Sequence, residues 1–520
     1  MSSTDPQMSL EEATKAVLDG TLSHTLDPAI SHKVLQSILP DASLLNEEVI
    51  ETIAKYVRAS EIDLTGITML ETHMRVINSQ NLTSLALGSF EDATKKGIGR
   101  DLDALLKDLL NQNSRQQLAC LDLSMGESLD GFADGWAKAL GQLLPSLSHL
   151  SLRSRPLTEL PSLCPNLQLL DISNTRISTF TGISNLKSLH TLRIGCLRIV
   201  EESVESSELF ELRELRNLSF ECKTERCDQC REETSSLNWY MKRKKNLPSL
   251  EFVDFSCSGV VDAQLQQFST AHTSLKTISV GDTELQNFNY PNVTVLHTNS
   301  IKAAVESLNF YTAHKDVWMV KCVLAKLDVQ FEYSDNNTSQ EDIQKCWTTV
   351  CSVLETFGTV EHVRRIAVRC FEQVFEFACL DDISSEDRLR AIQIFSEIIA
   401  QSLPTLRNNL LEVFQPWNIL ESRELILETP HVDYDRLALL AMLFLEKSDQ
   451  GDEETRPHVM ILDMILDRVD PESTGFEMCD VVEVLTNLQT ISKGKELDSE
   501  IKEAAKNAMN FVLNNFPVFE

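Results

Sequence analysis

Two rhythms of hydrophobic and polar positions divide this chain. From residue 82 to residue 280, aliphatic residues recur as L-x-x-L-x-L. The turns read Leu82-x-x-Leu85-x-Leu87, Leu118-x-x-Leu121-x-Leu123, Leu147-x-x-Leu150-x-Leu152, Leu167-x-x-Leu170-x-Ile172 and Leu189-x-x-Leu192-x-Ile194. Leu215-x-x-Leu218-x-Phe220, Leu250-x-x-Val253-x-Phe255 and Leu275-x-x-Ile278-x-Val280 follow. Alternate residues of an extended segment face the same side, so each L-x-L predicts a short strand with its apolar pair inward. Stacking such turns predicts a parallel sheet in an α/β leucine-rich-repeat solenoid, and the uneven spacing predicts insertions on its convex side.

Beyond about residue 300 the period becomes helical. Val363, Ile366, Ala367, Cys370, Phe371, Val374 and Phe375 fall on one face over three turns. Similar stripes run through 301–328, 341–357, 387–402, 436–446, 457–468, 479–490 and 499–515, with breaks at Ser402-Leu-Pro404, Gln415-Pro416 and Asp470-Pro471. This succession predicts an all-α armadillo/HEAT-like solenoid; a compact helical bundle is the plainer alternative. Residues 1–60 also read as helices. Ser9-Leu-Glu-Glu12 has the form of a capping box ahead of the stripe Leu10, Ala13, Thr14, Val17 and Leu18. Asp27-Pro28 pairs an N-cap with proline at the first helical position. Asn46 is placed to cap a helix carrying Val49, Ile50, Ile53, Ala54 and Val57. The expected division is a small N-terminal helical docking region at 1–60, strand repeats at 61–298 and helical repeats at 299–520.

Composition narrows the function classes. Acidic residues outnumber basic ones 78 to 47, for a formal charge of -31, which disfavours nucleic acid and anionic membrane as partners. The basic run Met241-Lys-Arg-Lys-Lys245 reads as a solvated loop. Thirteen cysteines lack paired spacing, the opening MSSTDPQMSLEEATK has no signal-peptide core, and the longest apolar run, Leu437–Leu445, is too short to span a bilayer. A soluble protein of a reduced compartment, cytoplasm or nucleus, is expected.

Catalytic chemistry is not expected, and no cofactor is. Phosphate-binding loops, dinucleotide fingerprints, zinc-protease motifs and nucleophile elbows are absent from the sequence. Cys222, Cys227 and Cys230 form the one metal-like cluster. It lacks a second pair at zinc spacing, so an inserted loop with free thiols is the simpler reading, and no metal is assigned. The outward residues of the strands, Ala86, Asp122, Ser151, Asp171, Arg193, Ser219, Asp254 and Ser279, form no single-sign or aromatic row. Extended solenoid faces hold other proteins, so a recruiting protein is expected.

This order of parts resembles the Zyg/Zer family of substrate receptors, which serve cullin-two RING ubiquitin ligases. The resemblance covers nearly the whole chain, with a helical solenoid shorter by about one repeat. Its anchors are Ser9-Leu10 with Leu18-Asp-Gly-Thr-Leu22, Ile301-Lys-Ala-Ala-Val-Glu-Ser307, Arg365-Ile-Ala-Val368 and Arg456-Pro-His-Val-Met460. It implies a non-catalytic adaptor of a cullin-two/Elongin-B/C ligase; the alternative is an interaction scaffold without that docking. It places Leu10 as the knob entering Elongin-C, with Thr14 where cysteine is usual and Leu18 behind it. It places Leu45, Asn46 and Val49 against the cullin, with Asn46 where the family has proline. These helices would otherwise simply cap the repeat array. The resemblance also implies a pocket for clients with an N-terminal glycine at Trp417, Asn418 and Glu421. Met442 and Leu445 stand where its second wall has polar residues. Trp417 could equally be a core anchor after a proline-started helix.

Overall fold

A computed structural model describes residues 8, 10–89, 102–124, 136–155, 157–160, 164–200, 207–222, 235–242, 245–283, 285, 289–290, 292–332, 338–358, 360–402, 410–447, 456–470, 479–493 and 498–515. Ser9, Arg243 and Lys244 of the basic run, Pro404, Pro471, Cys227 and Cys230 lie outside the described residues. Two compact units emerge, Ala16–Asn299 and Met1–Lys15 with Ser300–Glu520. Residues 16–60 therefore share a unit with the strands, where the sequence reading grouped 1–60.

The first unit is a leucine-rich-repeat ladder. Among the described residues, ten three-residue strands follow one another: β1 Glu61–Asp63, β2 Ser84–Ala86, β3 Cys120–Asp122, β4 His149–Ser151, β5 Leu169–Asp171, β6 Thr191–Arg193, β7 Asn217–Ser219, β8 Phe252–Asp254, β9 Thr277–Ser279 and β10 Thr294–Leu296. All neighbours are parallel and chain order is spatial order. Their central residues, from Ile62 through Leu121 and Leu192 to Val295, stand in one register column. Ile62, Leu85, Leu121, Leu150, Leu170, Leu192, Leu218, Val253 and Ile278 of that column are all buried. β1 and β10 extend the array beyond the eight motifs read from sequence. Their turns, Ala59-x-x-Ile62-x-Leu64 and Asn292-x-x-Val295-x-His297, keep the spacing but not all the leucines.

At the ends of β1, β3, β5 and β8 an aspartate side chain takes over the backbone. The Oδ1 atoms of Asp63, Asp122, Asp171 and Asp254 accept from the N–H two residues on, at 2.8, 2.7, 2.9 and 2.8 Å. Such turns end an extended segment locally. Gly195 is required for close approach: a Cβ there would lie 1.7 Å from the Glu221 carbonyl oxygen of the next turn.

The strand unit also holds helices α2 Pro28–Ile38, α3 Glu47–Tyr56, α4 Glu71–Ser79, α5 Leu102–Leu109, α6 Gln112–Gln117, α7 Trp136–Leu143, α8 Ser236–Met241 and α9 Asp262–Ala271, with α1 (Leu10–Leu18) before them. Asp27 caps α2, with its carboxylate accepting from Ala29 N at 2.8 Å. Phe220 and Phe255 stack at 5.5 Å beside Tyr240 and Phe268, filling the space behind β7 and β8.

The helical unit comprises α10 Ile301–Ala313, α11 Val317–Glu332, α12 Gln340–Phe357, α13 Glu361–Phe377, α14 Ser385–Ser402, α15 Leu410–Leu420, α16 Arg423–Leu427, α17 Tyr434–Lys447, α18 Arg456–Ile465, α19 Val481–Lys493 and α20 Ser499–Asn515. Helices α10, α12, α14, α17 and α19 pack successively as one row, and α11, α13, α15, α18 and α20 as a second row against it. That is a helical-repeat solenoid. Two sequence expectations are corrected. The stripe at 301–328 is two helices, because Lys315 adopts a left-handed φ of 52° and Asp316 Oδ1 accepts from Met319 N at 3.1 Å. Pro416 does not break the chain but lies inside α15, where burial of Trp417, Ile419 and Leu420 outweighs the lost backbone bond.

Candidate functional site

The face of α1 nominated for Elongin-C is turned inward. Leu10 is 8 % exposed, Thr14 4 %, and Ala13 and Val17 0 %, so the i, i+3, i+4, i+7 stripe is already covered. Leu18 is half-buried and Lys15 exposed. At the cullin-docking segment, Leu45 and Val49 are core residues, whereas Asn46 is exposed. Asn46 Oδ1 accepts from Val49 N at 3.0 Å, capping α3. A side-chain cap is something proline at this position could not provide. Arg75 grips Glu47 with two bonds of 2.7 Å, tying α4 to α3 and holding the Glu47 carboxyl below its usual range.

The nominated degron residues differ in exposure. Trp417 is wholly buried, with Phe444 6.5 Å and His458 4.6 Å away by ring centroid. His458 lies flat against Phe444 at 3.5 Å. The Trp417 indole N–H makes no hydrogen bond among the described residues. Asn418, one residue on, is exposed. Glu421 is half-buried and faces Arg456 at 3.6 Å. Met442 and Leu445 are wholly buried. Sequence reasoning missed His458 and Asn487, the buried polar residues of this core; Asn487 Nδ2 donates to the Leu445 carbonyl at 2.5 Å. An apolar stripe interrupted by one polar residue was the available signal.

The inner face of the ladder is polar but largely spoken for. Asp171, Ser219, Asp254 and Ser279 are buried, while Asp122, Ser151 and Arg193 are half-buried. Arg153, 5 % exposed, lies 3.6 Å from Asp171 and 3.7 Å from Glu221, both nearly inaccessible. Burial of such charges is tolerable only with opposite charges beside them.

A cleft of about 610 Å³ opens within the helical unit, between α10, α12 and the start of α14. Glu306, Asp342, Asp382 and Asp387 line it beside Asn309 and Trp347. Trp347 is the floor, its indole N–H donating to the Asp387 carbonyl at 3.2 Å. Thr349 donates to Asn309 Oδ1 at 3.2 Å, so the Asn309 amide is steered from below. Ser384 Oγ caps α14 by accepting from Asp387 N at 3.1 Å, and donates to the Asp387 carboxylate at 2.7 Å, fixing it at the rim. Lys302 and Lys345 line it too, so the cleft carries both signs with an excess of carboxylates.

No protein-family model matches this chain. Over 500 residues it is 24 % identical to gastrulation-defective protein 3 of Caenorhabditis elegans, covering 90 % of this chain and 67 % of that protein. Among solved structures, internalin C2 of Listeria monocytogenes is 18 % identical, covering 52 % of this chain and 93 % of its own, with a TM-score of 0.26. An internalin F from the same bacterium is 14 % identical, covering 55 % and 76 %, with a TM-score of 0.28. The fold class rests on the strand ladder and the two helical rows themselves.

Proposed function

We propose that this chain is a non-catalytic receptor that holds a protein client for a ubiquitin ligase built on Elongin-B/C and a cullin-two scaffold. The observation that carries this reading is the order of parts, a short amphipathic helix, a parallel leucine-rich ladder and a two-row helical solenoid. The likeness to gastrulation-defective protein 3 along 90 % of the chain supports a shared design. Docking uses the α1 segment, and the client sits in the cleft lined by Glu306, Asp342, Asp382 and Asp387. Co-expression with Elongin-B/C is expected to yield a stoichiometric complex that Leu18→Asp disrupts without lowering the melting temperature. Leu10→Asp is a poorer probe, because Leu10 is itself a packed residue.

A second reading is favoured by a specific observation. The burial of Leu10, Ala13, Thr14 and Val17 is what a scaffold that keeps α1 as a packed cap would show. Under that reading the purified chain remains free of Elongin-B/C at micromolar concentration, while clients still bind the cleft.

A further inference from the structure

We propose that Cys196, Cys222 and Cys257 form an oxidisable thiol site that staples adjacent repeats of the ladder. The three residues occupy one position of the repeat, three residues beyond the ends of β6, β7 and β8. Backbone bonds keep that position in step: Asn174 N donates to Gly195 O at 2.8 Å, Cys222 N to Ser256 O at 3.2 Å and Cys257 N to Gly281 O at 2.8 Å. Successive residues at such a position stand about 5 Å apart, the spacing of neighbouring strands, within the Cα separation that a disulfide needs. The Cys196 and Cys222 sulfurs are 3.0 Å apart, and Cys257 packs against that pair.

The choice of cysteine is not explained by backbone preference. Ser154, Asn174 and Asp282 hold the equivalent place in other turns, with left-handed φ of 60°, 56° and 55°. Cys196 and Cys257 share that conformation, at 56° and 55°. Asparagine and aspartate tolerate it by bonding locally, and cysteine has no such compensation. Three consecutive thiols at a site that favours small polar residues point to sulfur chemistry.

Access is graded along the stack. Cys196 and Cys222 are 4 % and 1 % exposed, whereas Cys257 is half-buried. A hydroperoxide therefore meets Cys257 first. Its thiolate attacks the peroxide, giving a sulfenic acid and releasing an alcohol, or water from hydrogen peroxide. Cys222 then attacks that sulfur, forming the Cys222–Cys257 disulfide and expelling water. Cys196 can attack Cys222 in turn, moving the bond to Cys196–Cys222 and returning a thiol at Cys257. The two-electron oxidation of two thiols is balanced by reduction of one peroxide.

The test is mapping of the full-length, reduced protein after hydrogen peroxide, with the peroxide quenched and the remaining thiols alkylated in denaturant before digestion. Cys222 is expected in a disulfide with Cys257 or Cys196, reversed by dithiothreitol, with a higher melting temperature in the oxidised form. In Cys222→Ala, dimedone is expected to label Cys257, because the resolving thiol is gone. Full alkylation of all three thiols in the wild-type protein after peroxide would overturn the proposal. So would a bond from Cys222 to Cys227 or Cys230. The wild-type map stands whether or not the variant folds.

Discussion

The strand ladder and the helical rows both stack one turn on the next, with opposite chemistry. In the ladder, backbone groups cross between turns: the His190 carbonyl accepts from Arg216 N and Asn217 N, each at 2.9 Å. Polar side chains there serve the backbone. His73 accepts from Leu70 N at Nδ1 and contacts the Leu39 carbonyl through Nε2, each at 3.0 Å, which requires the neutral Nε2–H tautomer. His272 is held likewise between the Tyr240 hydroxyl and the Phe268 carbonyl, each at 2.9 Å. Helices satisfy their own backbones, so consecutive helices of a row are joined by side chains instead. Arg369 bonds to Asp328, Arg390 to Glu355 at 2.5 Å and Arg436 to Glu397 at 3.1 Å. The ladder consumes its polar residues, while the helical rows keep carboxylates such as Glu306 and Asp382 exposed at a cleft.

The largest test of this contrast is Trp417→Ala. As a core anchor packed by Phe444 and His458, its loss costs about 3–5 kcal/mol in denaturant unfolding. Unchanged stability with lost client binding would instead make Trp417 a recognition residue. Next, Asp254→Ala removes the acceptor for Ser256 N and costs about 1–3 kcal/mol, with Asp254→Asn milder because Oδ1 remains.

The ladder also carries a pH dependence. Burial lowers the pKa of both His73 and His272, against weaker upward contributions from their backbone bonds. The unfolded chain therefore takes up protons first as pH falls. This contribution to stability is complete above about pH 6.5 and is lost progressively below it. Protection factors near β1 and β9, taken relative to the intrinsic exchange rate at each pH, are expected to fall between pH 7.5 and 5.5, and His73→Gln to reduce that change. The smallest effect belongs to Arg390→Ala. Its pair with Glu355, which holds that carboxyl below its usual range, is partly solvent-exposed, so about 0.2–1 kcal/mol is expected. A loss several times larger would show that ion pairs, not apolar packing, hold the helical rows.

Spacing made the ladder legible, because each rung repeats the same burial at the same offset. β1 and β10 escaped notice since Ala59, Asn292 and His297 occupy leucine positions while the strands keep the register. The outward aspartates looked like a ligand row without a theme; their theme is termination of the strand. The apolar stripe of α1 was plain, but whether it faces a partner or its own chain is a tertiary fact. The cleft was hidden for a similar reason. Thr349 and Asn309 meet across 40 residues, and nothing local to either marks the meeting.

We propose that this chain anchors to a ligase core through α1. The most direct measurement is hydrogen exchange across residues 10–18, with and without Elongin-B/C, on the full-length protein. A one-to-one complex with altered protection confined to α1 and its packing partners is the predicted result. No complex, and identical exchange in both samples, would contradict it.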